Sequence, residues 1–181
     1  PLSLWKALRE SPRGSATGPT GWSYELLTPL RQNTDEEGQR AWEKVANLLA
    51  NGAVPDACRA WFGAAYLGGI SKTDGGVRPI AAGGVLRRWM GRAMLTQDRD
   101  ELASFFLSHH QVGVGVQAGA ELAYRVVDLA LAAFDDENAA ALFDCANAFN
   151  SVIRSIIFEA VRRHFPRYLP HLRLSYLEPK D

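Results

Sequence analysis

Apolar residues recur along this chain at two spacings, and the switches between them mark out its elements. A short N-terminal helix precedes "SPRGSATGPTG" (11–21), a Gly-, Ser- and Pro-rich stretch without an apolar period that predicts a flexible loop. Trp22, Leu26, Leu27 and Leu30 then fall at helical spacing, with Pro29 placed to limit or bend the helix. "TDEE" at 34–37 has the form of a capping box, in which the Thr34 hydroxyl accepts from the amide of Glu37 and the Glu37 carboxylate reaches back to the amide of Thr34. The helix this predicts carries Trp42, Val45, Ala46 and Leu49 on one face, and "NG" at 51–52 ends it.

The next unit changes period. "AAYLGGIS" (64–71), "KTDGG" and "VRPIAA" (77–82) predict a β-hairpin around a turn in which Gly75 and Gly76 supply positive φ, with Lys72 and Arg78 at its two shoulders. A helical pattern follows over 83–107, with Val85, Leu86, Trp89, Met90, Ala93 and Met94 on one face and Arg87, Arg88 and Arg92 flanking it. After "SHHQVGVGVQAG", Leu122, Val126, Leu129 and Ala133 predict a helix over 119–134. The short apolar run 139–145 suits a buried strand. Beyond Asn150 the period is helical again, with Val152, Ile153, Ile156, Ile157, Ala160 and Val161 as its stripe and Asn150 or Ser151 as its cap. Strand, sharp turn and amphipathic helix thus form one local unit around Asp144.

At 181 residues the chain is long enough for one large domain or two small lobes with a proper core. Twenty Lys and Arg balance twenty Asp and Glu, so whole-chain charge points to neither a nucleic-acid nor a membrane partner. Cys58 and Cys145 make neither a metal-ligand pair nor a CxxC motif, which fits a reduced, intracellular setting in nucleus or cytoplasm. With no signal-peptide pattern and no apolar run of about 18 residues, a soluble protein is expected. A chain that opens on Pro and closes on "EPKD" after an apolar stretch has the look of an excised piece.

Three features could carry chemistry, and each has an ordinary alternative. Asp144 stands where a strand gives way to a turn, a position at which α/β architectures place functional groups, though an Asp before a helix is commonly a cap or turn former. Lys72 and Arg78 around a glycine turn can clamp a phosphate, by Arg's bidentate fork and close backbone amides, or can be a solvated loop. "GVGVQA" (113–118) fits the dinucleotide-binding fingerprint, but "FFLSHH" before it supplies no clean strand. His109 and His110 are adjacent and point apart, which argues against a zinc site.

Taken in order, "GPTGWSYELL", "GGISKTDGGVRPIAAGGVLRRWMGRAM", "QVGVGVQAGAELAYRVV" and "LFDCANAFNSVIRSIIFEAV" resemble the successive N-terminal motifs of reverse transcriptases, most closely those of non-LTR retrotransposons. The resemblance runs from about Gly18 to the end of the chain, and its specificity lies in the order of the blocks. It implies an α+β, helix-rich fold: the fingers and partial palm of a right-hand polymerase, with a fingers β-hairpin and a short palm strand. Residues 1–84 would hold the N-terminal helices and hairpin, and 85–181 the fingers and palm helices with the motif-A strand. By the resemblance, Asp144 is the motif-A aspartate that holds the catalytic Mg²⁺ or Mn²⁺ ions, and the backbone carbonyl of Cys145 offers a second metal contact. Phe149 matches the steric gate that rejects a 2′-hydroxyl. Arg78 matches the arginine that grips the incoming triphosphate, with Lys72 as its basic partner. Arg87, Arg88, Arg92 and Gln111, the last in the "Q-x-G" turn, are the candidate nucleic-acid contacts. The partners implied are an RNA template, a DNA primer and deoxynucleoside triphosphates.

Two departures qualify that expectation. Asn150 stands where most such enzymes read "AFD", and the 31 residues after it contain no motif B glycine and no motif C aspartates. One carboxylate of three cannot build a two-metal site, so the chain alone is expected to be inactive and to need the motif C acids for metal. A decayed or domesticated relative, serving as a non-catalytic nucleic-acid or protein scaffold, is the rival reading; a small Rossmann-type enzyme is a third.

Overall fold

Trp89 organises the N-terminal half of the molecule. It lies fully buried between the rings of Trp5 and Trp42, with centroids 5.7 and 5.9 Å away, and its indole Nε1 donates to the Leu4 carbonyl at 2.8 Å. The computed structural model describes residues 3–73, 75–133, 139–145 and 148–176, without the side chains of Phe149 and Asn150. Four helices bring their apolar stripes to this core: α1 (Leu4–Arg9), α2 (Tyr24–Asn33), α3 (Glu36–Ala50) and α5 (Val85–Gln97). α4 (Asp56–Gly63) lies between α3 and the hairpin in sequence. Burial of Leu4, Ala7 and Leu8 on α1, and of Val85, Trp89, Met90, Ala93 and Met94 on α5, follows the 3.6-residue period.

A second, smaller cluster joins Val54, Phe62 and Leu174, and Leu49 and Leu86 pack against both clusters. Leu174 belongs to α10 (Leu169–Tyr176), which follows α9 (Arg154–His164) and a 3-10 turn at Pro166–Tyr168. The chain therefore forms one compact unit from residues 1–97 and 154–181, and another from 98–153. α5 shares its buried face with α1, α2 and α3.

Several local expectations need correction. The cap of α3 is Asp35, whose carboxylate accepts from Gly38 N–H at 2.8 Å, and not Thr34. Because α2 runs on through Pro29 to Asn33, Thr34 is taken up as its C-cap, and the next N-cap moves one residue along. Pro29 forgoes one helical bond, while the Thr28 hydroxyl donates to the Tyr24 carbonyl at 2.8 Å. The loop at 11–21 is held at several points: Gly14 N–H donates to Glu25 Oε1 at 2.7 Å, a bond that lowers the Glu25 pKa, and Gly18 (φ +69°) lies so close to Gly83 that a Cβ there would stand 2.7 Å from its carbonyl carbon.

β1 (Ala65–Ser71) and β2 (Val77–Gly83) form the antiparallel hairpin that the sequence predicts, in a register pairing Ala65 with Gly83 and Ser71 with Val77. Gly75 takes the positive φ (+83°) at the turn; Gly76 does not. The architecture is α+β, helix-rich with a two-stranded antiparallel sheet.

In the second unit, the helical pattern of 83–107 resumes as α6 (Arg99–Ser108), since the backbone of Asp98 leaves helical values and its carbonyl accepts from Leu102 to begin a new helix. α7 (Gly119–Ala133) forms where its period predicts, but Leu122, Val126 and Leu129 are exposed. Residues 139–145 form no strand. They are irregular and exposed, with Leu142 at 96% and Phe143 at 95%. A strand needs a neighbour to take its backbone bonds, and among the described residues the sheet consists of β1 and β2 paired to each other. Past Ala148–Ser151 (α8), the predicted helix breaks at 152–153 before α9, so neither Asn150 nor Ser151 directly precedes α9.

Candidate functional site

Period-two geometry places Lys72 and Arg78 together. Arg78 pairs with Ile70, and Lys72 extends the ladder by donating its N–H to the Gly76 carbonyl at 2.7 Å, so Ile70, Lys72 and Arg78 emerge on one face of the hairpin. They line an open cleft of about 440 Å³ with Ser71 and Thr73. Both cations are exposed, and among the described residues neither forms an ion pair. Two positive charges around one cleft can hold an anion, with the Arg78 fork able to take two oxygens at once; Asp74 of the turn lies outside the described residues. The turn amides contribute less than the glycines suggest, because Gly75 N–H donates to the Lys72 carbonyl at 3.2 Å and the Lys72 N–H is already used. Side chains carry this site.

The three arginines of α5 have different work. Arg87 Nη1 donates to the Gly63 carbonyl at 2.8 Å and to the Ser175 carbonyl at 3.2 Å, tying the ends of α4 and α10 to α5. Burial, and secondarily the charge of Arg88, lowers its pKa. Arg88 donates to the Ala16 carbonyl and lies over the Tyr24 ring at 5.5 Å, and Arg92 donates to the Glu10 carbonyl at 3.3 Å. Each guanidinium is thus engaged with backbone of another segment, so the stripe that sequence reasoning offers as a nucleic-acid surface has an internal structural use.

In the second unit, Gln111 Oε1 accepts from Gly113 N–H at 2.8 Å, which folds the side chain back onto its own turn. The "GVGVQA" segment follows helix α6 rather than a strand, so the dinucleotide fingerprint lacks its structural context. His109 Nδ1 lies 2.8 Å from the Phe105 carbonyl at the end of α6. Asp144 and Cys145 are exposed in the irregular segment 139–145, and Phe149 falls on α8 with its side chain outside the described residues. Among the described residues, no group of three or more His, Cys, Asp or Glu could hold a metal ion. Asp144 and Cys145 alone therefore do not fit a two-metal centre. No helix among the described residues is long and apolar enough to cross a membrane.

Sequence reasoning passed over His171 on α10. Its Nδ1–H donates to the Leu49 carbonyl at 3.2 Å and its ring meets Phe62 edge-on at 6.2 Å. Burial is the main cause of its lowered pKa, with the Arg87 charge adding to it against the opposing hydrogen bond. The only signal in the sequence is a His among the apolar residues of "YLPHLRL".

No family model, curated protein or solved structure matches this chain.

Proposed function

We propose that this chain is the fingers and first part of the palm of an RNA-directed DNA polymerase of the non-LTR retrotransposon type. Four sequence blocks in the order of that family support the reading, and the observation that carries it is the convergence of Lys72 and Arg78 on one cleft of the hairpin. There the Arg78 fork would take phosphate oxygens of an incoming deoxynucleoside triphosphate, and Lys72 would add a second, more mobile charge. When bound in the complete enzyme, divalent metal would supply activation of the primer hydroxyl and neutralisation of the leaving pyrophosphate. The residues described here do not by themselves fit that centre, so this chain's own contribution is binding and orientation of the triphosphate. RNA template and DNA primer are the macromolecular partners on this reading.

A second reading, a non-catalytic scaffold of the same ancestry, draws on the exposure of Asp144 in a segment without strand structure. Primer extension with the purified chain, all four nucleotides and Mg²⁺ or Mn²⁺, run beside a titration of primer–template at two salt concentrations, tests the function. We expect no extension, and weak binding that falls as salt rises. Extension that disappears in Asp144→Ala would place the chemistry within these residues; salt-independent binding or none would remove the nucleic-acid partner.

A further inference from the structure

The two edges of the hairpin are unlike. The bond from Lys72 N–H to the Gly76 carbonyl sets the phase of the ladder: Tyr66, Gly68 and Ile70 face β2 with their backbone groups, whereas Leu67, Gly69 and Ser71 direct N–H and C=O outward. None of these three has an internal backbone partner among the described residues. On β2 the outward positions are Val77, Pro79, Ala81 and Gly83, and Pro79 has no N–H to offer. β2 also carries Arg78, whereas "AYLGGIS" has neither charge nor proline. Natural sheets blunt a free edge with such residues, so β2 is a protected edge and β1 an open one.

We propose that β1 pairs antiparallel with β1 of a second copy of this chain, giving a four-stranded sheet across a two-fold axis at Gly68. The open edge is self-complementary in that register. Leu67 stands opposite the other copy's Gly69, and Ala65 opposite its Ser71, so every outward donor meets an outward acceptor. Tyr66, 61% exposed, faces the other copy's Ile70, 57% exposed, as a cross-strand aromatic–aliphatic pair. Gly68 meets Gly68 at the axis.

Charge fits the same occupant. The contact surface is uncharged, and antiparallel pairing sends the two Lys72–Arg78 turns to opposite ends of the sheet, about 27 Å apart at a rise of about 3.4 Å per residue. That is well beyond a screening length of about 8–10 Å, so the cationic turns do not oppose association. Because Pro79 interrupts the outer edges of the new sheet, assembly closes at two copies instead of extending as a filament. A seven-residue edge belongs with the transient interfaces that bury less than about 1,200 Å², so the dimer depends on concentration.

The register supplies its own test. At a two-fold non-hydrogen-bonded pair the Cα atoms lie about 4.5 Å apart, within the range a disulfide spans. A Cβ on Gly68 has no neighbour closer than the Ile80 carbonyl oxygen at 4.0 Å, so the full chain with Cys58→Ser, Cys145→Ser and Gly68→Cys should fold unchanged. Under mild oxidation it should form a disulfide-linked homodimer at least tenfold faster than the same background carrying Val77→Cys, a comparably exposed site away from the axis. Sedimentation of the cysteine-free chain should show a monomer–dimer equilibrium, abolished by Leu67→Pro, which removes an outward N–H, and weakened by Leu67→Lys, which charges the edge. Equal cross-linking at 68 and 77, a monomer at every concentration, or a dimer indifferent to both Leu67 variants would overturn the proposal.

Discussion

The guanidinium of Arg87 and the carbonyl of Gly63 are joined at 2.8 Å, and the same nitrogen reaches Ser175. One side chain of α5 thereby closes the last turns of α4 and α10. Replacing Arg87 by Met keeps most of its packing but leaves these carbonyls without their donor, which should cost about 1–3 kcal/mol. Arg78→Ala, at an exposed strand position, should change stability by less than about 0.5 kcal/mol. Urea denaturation of both variants separates an internal strut from a ligand-facing cation. Equal stability of the two would mean that the Arg87 bonds contribute little in solution.

Trp89→Phe should be costly for a related reason. It removes the indole donor from the Leu4 carbonyl, which then keeps only its helical partner, and opens space between Trp5 and Trp42, for a loss of about 1–3 kcal/mol. Thermal unfolding should show the midpoint falling by several degrees, with α1 the first helix to lose protection from hydrogen exchange.

The stripe of α5 was legible in the sequence because its period reports burial directly, and that of α3 in part, since Trp42, Ala46 and Leu49 reach the core while Val45 is exposed; the hairpin was legible from its glycine turn between two short runs, although β1 is exposed throughout. Side-chain destinations were not. Arg87, Arg88 and Arg92 flank an apolar stripe, a pattern shared by solvated cations and by cations that reach across to a neighbouring carbonyl; only the placement of α4, α10 and the loop near Ala16 distinguishes them. The cap of α3 was misplaced by one residue because the end of α2 at Asn33 depends on its continuing through Pro29. Residues 139–145 have a strand's composition, but a strand also needs a partner, and composition says nothing about that. At the candidate site, the nearness of Lys72 and Arg78 on either side of the turn followed from hairpin spacing, while the internal use of the turn amides did not.

His171 makes stability depend on acid in a defined direction. Its folded pKa is lowered below 6.5, chiefly by burial, so the unfolded chain binds its proton more readily. The stability it supports is fully present above pH 6.5 and is lost as pH falls through the folded value. His171→Gln keeps a donor for Leu49 without the titration, and should flatten the fall in stability as pH drops below 6.5. An unchanged slope in urea midpoint against pH would assign the acid sensitivity to other groups.

The most direct test of the central claim is calorimetric titration of the purified chain with a deoxynucleoside triphosphate, its monophosphate and its nucleoside, at low and moderate salt. If Lys72 and Arg78 form a triphosphate clamp, affinity rises with phosphate number and weakens with salt. Arg78→Ala should reduce triphosphate affinity about tenfold or more, as loss of a charge-assisted hydrogen-bonding partner implies, and Lys72→Ala should reduce it less. Equal binding of nucleoside and triphosphate, or a triphosphate affinity untouched by Arg78→Ala, would contradict the account.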